Sequence, residues 1–504
     1  MKDGWPRPAA TTGRAPSRRL ACLPGRRSPC RAPLAIGCGS DNLRRPVPGG
    51  LVQLLDDAVR ERGGHRCLYA LETTLSRRGL RIRARRRADE LARVGVGAGH
   101  VVLVALGNAT ETIVTLLACD RLDATIVLAD PALGTSPLDD ACRVLPVTAV
   151  LRRPAGTDTA PPTYPGHQVR SRRRIAGGIA ILEILEPTEA RPSLPASATL
   201  ALPTAAPDGS MRIVLRSVRS AVETAGMLAR YVGLDADAAL VPLGSLTRPS
   251  MLECVVVPWI AASATLVLDD APDERTAAVA AGVTRPWWAG PPDRLANVPV
   301  ASQAGPGPAG RMVVGVAGDG SPDTTTIDRG DDAPVHVVYL EEIGPFGIRR
   351  NHDGPYDRLD DASWTRGAAM DVGGHEWLVA PVHRSDLLPS PELDDPGTPA
   401  GVGDHLHTGF AARFEADAPS AILGRDDGLV WVDGMRGSLE AIEAATLAVP
   451  GVTSAQATWR RPATAGDPPI VVEVAGPVAP EDVHDRLVAT LPPAFVPAVR
   501  TTAE

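Results

Sequence analysis

Apolar residues recur at helical spacing over 51–62 (LVQLLDDAVRER) and again over 83–94 (RARRRADELARV), where one face stays polar. Gly95, Gly97 and Gly99 end the second of these helices. The run 101–106 (VVLVAL) has no polar residue and suits a parallel strand buried on both faces. Asn108 and Thr110 precede a helix over 111–119, and a further apolar run at 125–128 is closed by Asp130-Pro131. Strand, helix and strand in this order predict a βαβ unit. The alternation recurs, with strands at 147–151, 239–243, 264–268, 312–316 and 335–339 and a helix over 219–231. Residues 152–195, rich in Pro and Arg, read as loop, and from about 350 to 420 the pattern shortens to strand and turn. After Arg425 the pattern is a compact α+β one: strand 429–432, helix 438–448, strands near 452–458 and 470–474, helix 480–490. The expected fold is α/β, a large N-terminal α/β domain over 49–424 followed by a small α+β C-terminal subdomain over 425–504.

Residues 1–48 differ from the rest. They hold nine Arg and no acid between Asp3 and Asp41, and no apolar run of signal-peptide length follows the basic residues. The composition predicts a disordered Arg/Pro-rich extension, or a start codon placed too early. Elsewhere the charge is mixed, with a net −7 over the chain, so nucleic acid is not an expected partner. No stretch is long and apolar enough for a membrane helix. The seven Cys form no CxxC, which fits inert thiols in a reducing, cytoplasmic setting.

Lys2 is the only lysine. Chemistry that needs a lysine within the body, such as a Schiff base, a pyridoxal phosphate anchor or an ordinary P-loop clamp, is excluded on that ground. Neither GxSxG nor HExxH occurs. Asp404, His405 and His407 form a D-H-x-H cluster that reads as a loop with incidental histidines, and Gly315, Gly318 and Gly320 match a dinucleotide turn only loosely.

The order of segments, from ADELARVGVGAGHVVLVALGN onward, resembles the adenylate-forming superfamily of acyl-CoA synthetases and adenylation domains, over about 51–500. The anchors are GRDD at 424–427, followed by DGMR and LEAIE, and AVPGV at 448–452. In the family a glycine-rich loop binds phosphate; here the collinear stretch is TAAPDGSMRIV, in which Thr204, Gly209 and Val214 match and Arg212 replaces the lysine. Such a loop works through backbone N–H groups and hydroxyls, so Pro207 removes a donor and Asp208 adds unfavourable charge, while Arg212 can clamp a phosphate. The alternative reading is a surface turn that keeps only the ancestral position.

The resemblance carries further roles residue by residue. Tyr339 stands at the tyrosine of the adenine motif. The motif's magnesium-binding glutamate falls on Ile343, with Glu342 or Glu341 as substitutes or simply two solvated acids. The ribose motif reads Thr408-Gly409-Phe410, with Phe410 at the aspartate. Arg425 stands at the hinge arginine, which in the family contacts the ribose or the acyl-carrier side, and Asp426 at the pivot of the small domain. The family's terminal lysine lies beyond LPPAFVP, and the sequence stops at Glu504 before reaching it.

What the resemblance implies is ATP- and Mg²⁺-dependent activation of a small carboxylic acid as an acyl-adenylate, then transfer to CoA or the phosphopantetheine thiol of a carrier protein. The motif losses imply impairment. The alternative is a catalytically inactive relative that binds an acyl group, a nucleotide or a carrier protein.

Overall fold

The computed structural model describes residues 49–70, 73–131, 136–154, 163–189, 194, 199–205, 211–269, 285–291, 294–295, 310–314, 335–340, 344–349, 357–358, 365–366, 376–381, 405–415, 418–425, 428–432, 435–460 and 468–501. The 1–48 extension and the glycines at 315–320 lie outside them. The chain divides into two compact units, Met1–Pro46 and Val47–Glu504, and the described residues all belong to the second.

The all-apolar run becomes the strand Val101–Ala105, fully buried. It lies parallel to Thr125–Leu128 on one side and Val147–Arg152 on the other, and Thr199–Ala205 runs parallel beyond Thr125–Leu128. Antiparallel edges complete a seven-stranded sheet: Met211–Ser217 on one side, the hairpin His167–Ile175 and Ala180–Pro187 on the other. A second, nine-stranded sheet has at its centre the parallel strands Arg66–Ala70, Thr265–Leu268, Ala238–Pro242, Arg285–Gly290, Gly310–Val314 and Val335–Leu340. One hydrophobic core joins the two sheets through the helices Leu51–Arg62, Arg77–Arg93, Thr110–Arg121 and Val218–Val232. With so few aromatic residues, Leu, Val, Ile and Ala carry that core. The α/β expectation holds.

Three differences have physical reasons. A hairpin at 167–187 replaces the expected loop: its outer strand is mostly exposed between buried His167 and Ile175 and pairs along its length with Ala180–Pro187. Its inner strand holds a fully buried Glu183. The second helix starts six residues earlier than its apolar spacing suggests. Ser76 caps it, its hydroxyl accepting from Gly79 N–H at 3.1 Å. Buried Arg77 donates to the carbonyls of Arg62 and Ser263, and buried Arg87 bonds Glu111 at 2.7 Å. The third is the helical segment 249–261, in which a π turn, Leu252–Val256, sits between Pro249–Met251 and Val257–Ala261. His405 and His407 lie on the strand His405–Glu415, not in a loop.

Toward the C-terminus, Ser454–Trp459, Ile470–Ala475 and Ala498–Thr501 form a three-stranded sheet, covered by the helices Leu439–Leu447 and Pro480–Thr490 around a core of their own. Gly437 is required there, since a Cβ would stand 2.3 Å from the Phe495 ring. Cys67, Cys119, Cys142 and Cys254 are buried free thiols, and burial pushes the Cys67 thiol up to about 12. Among the described residues no helix is long and apolar enough to cross a membrane.

The helix Leu51–Arg62 has no cap of its own. Asp120, at the end of the third helix, supplies one, Oδ2 accepting from Val52 N–H at 2.7 Å. Gly50 leaves it room, for a Cβ would lie 2.7 Å from Asp120 Oδ1. Burial pushes the Asp120 carboxyl up to about 6, against the backbone N–H groups that favour its anion. Between about pH 4 and 6 the folded chain therefore binds the proton more tightly than the unfolded chain. Stability from this group is full below that window and is lost as pH rises through it, by about 3 kcal/mol at most. Urea unfolding across the window should show that slope, and Asp120→Asn should abolish it while keeping one acceptor for the cap. An unchanged slope in the variant would place the titration elsewhere.

Candidate functional site

In open α/β sheets, ligands bind outside the carboxyl ends of the strands. Here the carboxyl ends of the two large sheets meet along a seam. Asn108, just past Val101–Ala105, donates through Nδ2 to the carbonyls of Gly244 at 3.2 Å and Asp269 at 3.3 Å, and its Oδ1 accepts from Leu246 N–H at 2.7 Å. One side chain thus ties the end of a strand in the first sheet to the ends of two in the second. Asp130, past Thr125–Leu128, pairs with Arg248 at 3.6 Å. Arg153, past Val147–Arg152, donates Nε to the Leu106 carbonyl at 2.9 Å. These bonds hold the turns after each strand in a fixed relation.

The phosphate-loop segment enters the same seam. Thr199–Ala205 and Met211–Ser217 pair antiparallel, with Thr204 opposite Arg212 and Ala205 opposite Met211. Gly209 lies outside the described residues, and of Arg212 only the backbone position is described. Thr204 is buried, and its Oγ1 has no hydrogen-bond partner among the described residues. A buried orphan hydroxyl is costly unless a ligand or water completes it, so Thr204 fits an oxygen-rich group such as a phosphate. The strand Met435–Ser438, ten residues and more after Arg425, lies beside Thr199–Ala205.

Behind this hairpin is a buried charged cluster. Arg216 Nε donates to Glu253 Oε1 at 2.8 Å, and Arg216 Nη2 to Ser220 Oγ at 3.3 Å. Glu253 lies on the π turn and is wholly buried. Burial pushes its carboxyl above the usual range, while the Arg216 charge and then the neighbouring Tyr339 hydroxyl pull it back. Tyr339 itself is only 1% exposed, its ring part of the main core. Gly344 closes the cluster at φ +86°, where a Cβ would come within 2.9 Å of Arg216 Nη2 and 3.0 Å of Glu253 Oε2. The second arm of the phosphate hairpin, the π turn and the strands on either side of residues 341–343 therefore share one ion pair.

Other expected site residues lie in the four-stranded sheet. Phe410 on His405–Glu415 pairs with Arg425 on Ala418–Arg425, and Thr408 stands two residues from that pair. The structure so brings the ribose and hinge motifs together on adjacent strands. Glu342 and Asp426 lie outside the described residues. No group of acids, histidines or cysteines suited to a metal occurs among the described residues. Sequence reasoning does not mark Asn108, Arg216 or Glu253 as site residues. Asn108 has one signal, a polar residue directly after a buried strand; for the others it is a lone charge inside an apolar run.

Residues 55–204 match the AMP-binding enzyme family. No curated protein matches the sequence. Among solved structures, the fold is similar to that of the o-succinylbenzoate CoA synthetase from Bacillus subtilis bound with its product analogue OSB-NCoA (TM-score 0.71, 15% identity, 90% of this chain and 94% of that one). It is similar also to a malonyl-CoA ligase in a ternary product complex with methylmalonyl-CoA and AMP (TM-score 0.63, 18% identity, 87% and 96%). A third is an artificially fused adenylation–PCP di-domain from Klebsiella oxytoca (TM-score 0.67, 12% identity, 91% and 94%). Residues 55–204 thus match the AMP-binding enzyme family, and the chain as a whole shares the fold of these synthetase and adenylation-domain structures.

Proposed function

We propose that the seam takes ATP and a small carboxylic acid, and that the chain is an AMP-dependent synthetase-like protein whose acyl-adenylate chemistry is strongly impaired. The observation that carries this reading is the buried Thr204 hydroxyl, without a hydrogen-bond partner among the described residues and opposite Arg212 at the carboxyl ends of the parallel strands. Thr204, Gly209 and Arg212 would hold phosphate oxygens, Thr408 and Arg425 the ribose side, and Glu342 a divalent cation. Tyr339 would stand on the adenine side, at the end of its strand. The 425–504 segment is a small domain turning about Asp426, and the acyl acceptor is CoA or a carrier-protein thiol.

Joining a carboxylate to a phosphate brings two anions together, so fixed positive charge must offset their repulsion. Residues 49–504 hold no lysine, Phe410 stands where the ribose acid is expected, and Asp208 adds negative charge to the loop. Each such loss typically lowers rate by about 10²–10³, without simple additivity. The test is ATP–pyrophosphate exchange over a panel of acids, with calorimetry of ATP·Mg²⁺ beside it. Binding with slow exchange, several powers of ten below an intact synthetase assayed in parallel, is the expected result. Binding with no exchange selects the second reading, a non-catalytic partner protein, which the same residue losses favour. Robust exchange removes the impairment, and absence of both binding and exchange removes the nucleotide site.

A further inference from the structure

The large apolar side chains left exposed among the described residues are Ile82, Ile179, Leu447 and Val488. They fall on two faces of opposite charge. Ile82 lies on the helix Arg77–Arg93 with Arg78, Arg85 and Arg86 at i−4, i+3 and i+4, so helical geometry puts all four on one outward stripe, and all are exposed. Asp89, at i+7, is the one acid on that stripe. The edge strand His167–Ile175 extends the face. Its Arg173 donates to the Glu90 carbonyl at 3.3 Å, and Ile179 follows in the adjoining turn.

The two C-terminal helices show the mirror pattern. Leu447 has Glu440 and Glu443 at i−7 and i−4, and Val488 has Glu481 and Asp485 at i−7 and i−3. Glu440, Glu481 and Asp485, like Arg78, Arg85 and Arg86, make no ion pair among the described residues. An apolar centre ringed by charge is the anatomy of a protein–protein interface, and opposite rims fix which face meets which.

We propose that the chain self-associates head to tail, the arginine face of one copy against the acidic outer face of the C-terminal helices of the next. Such a contact is heterologous, so it propagates into rings or short open arrays. Because the charged rims steer it, it weakens as salt screens them.

Sedimentation velocity of the full chain across a concentration series, at low and high salt, tests this. The expected result is concentration-dependent association at low salt that falls away at high salt. Two double variants isolate the faces: Arg85→Glu with Arg86→Glu, and Glu481→Arg with Asp485→Arg. All four positions are exposed, so the fold tolerates them. Each double variant alone should be monomeric, because it has lost one of the two faces. Mixed in equal amounts, the two should associate again, because each native face and each reversed face meets its opposite charge on the other variant. A monomeric wild type at every concentration, variants that still associate alone, or a mixture that stays monomeric would each overturn the proposal.

Discussion

Glu253→Ala is expected to destabilise the chain by about 3–5 kcal/mol, the range for removing one partner of a buried ion pair. The reason is what stays behind. Arg216 is 2% exposed and would keep the Ser220 hydroxyl, a neutral acceptor, where it had a carboxylate. A guanidinium cannot shed its charge, so the core must hold it without that carboxylate or open to admit water. The double change Arg216→Met with Glu253→Leu removes both charges at similar volume and should unfold close to wild type, or later. Urea unfolding of the single and double variants measures the difference. If the single variant matched wild type, or the double one were worse than the single, the pair would not be what holds the hairpin to the π turn. Gly344→Ala approaches the same cluster from the opposite side. It places a methyl against Arg216 and strains a backbone at φ +86°, so it should behave like the single variant.

The parallel strands are legible in the sequence because burial on both faces leaves a run with no polar residue, as at 101–106 and 125–128. The long helices are legible because one apolar stripe faces the core. What escapes are places where a charge is buried with a partner distant in sequence. Glu183 in AILEIL and Glu253 in MLECVVVPWI break their apolar runs. Arg152 and Arg216 neutralise them from 31 and 37 residues away. Periodicity reads one segment at a time and cannot find such partners, so the hairpin at 167–187 and the π turn are invisible to it. The hairpin that pairs Thr204 with Arg212 is not legible, since no strand pattern marks 199–217 in the sequence. That Tyr339 points into the core is not legible either, because a tyrosine at a strand end reads equally as platform or as core.

The second large effect concerns Glu183, which is wholly buried and draws together three strands. Arg152 grips it with Nε at 3.0 Å and Nη2 at 3.1 Å, Arg172 approaches at 3.2 Å, and the Tyr164 hydroxyl donates to it. Burial and then that bond to Glu183 push the Tyr164 phenol up, so it stays a donor. Glu183→Ala leaves two guanidinium groups facing each other over an empty site, and about 3–5 kcal/mol should be lost. Glu183→Gln keeps the volume but not the charge and should recover only part of it. The loss should also travel. Arg153, next to Arg152, bonds the Leu106 carbonyl at the seam, and the turn it holds leads to Asn108. Hydrogen exchange of Glu183→Ala should therefore quicken at 167–187 and at 106–109 together, while 454–501 stays protected. Faster exchange confined to the hairpin would mean that the edge of the sheet and the seam move independently, and that the arginine-rich hairpin does not brace the site.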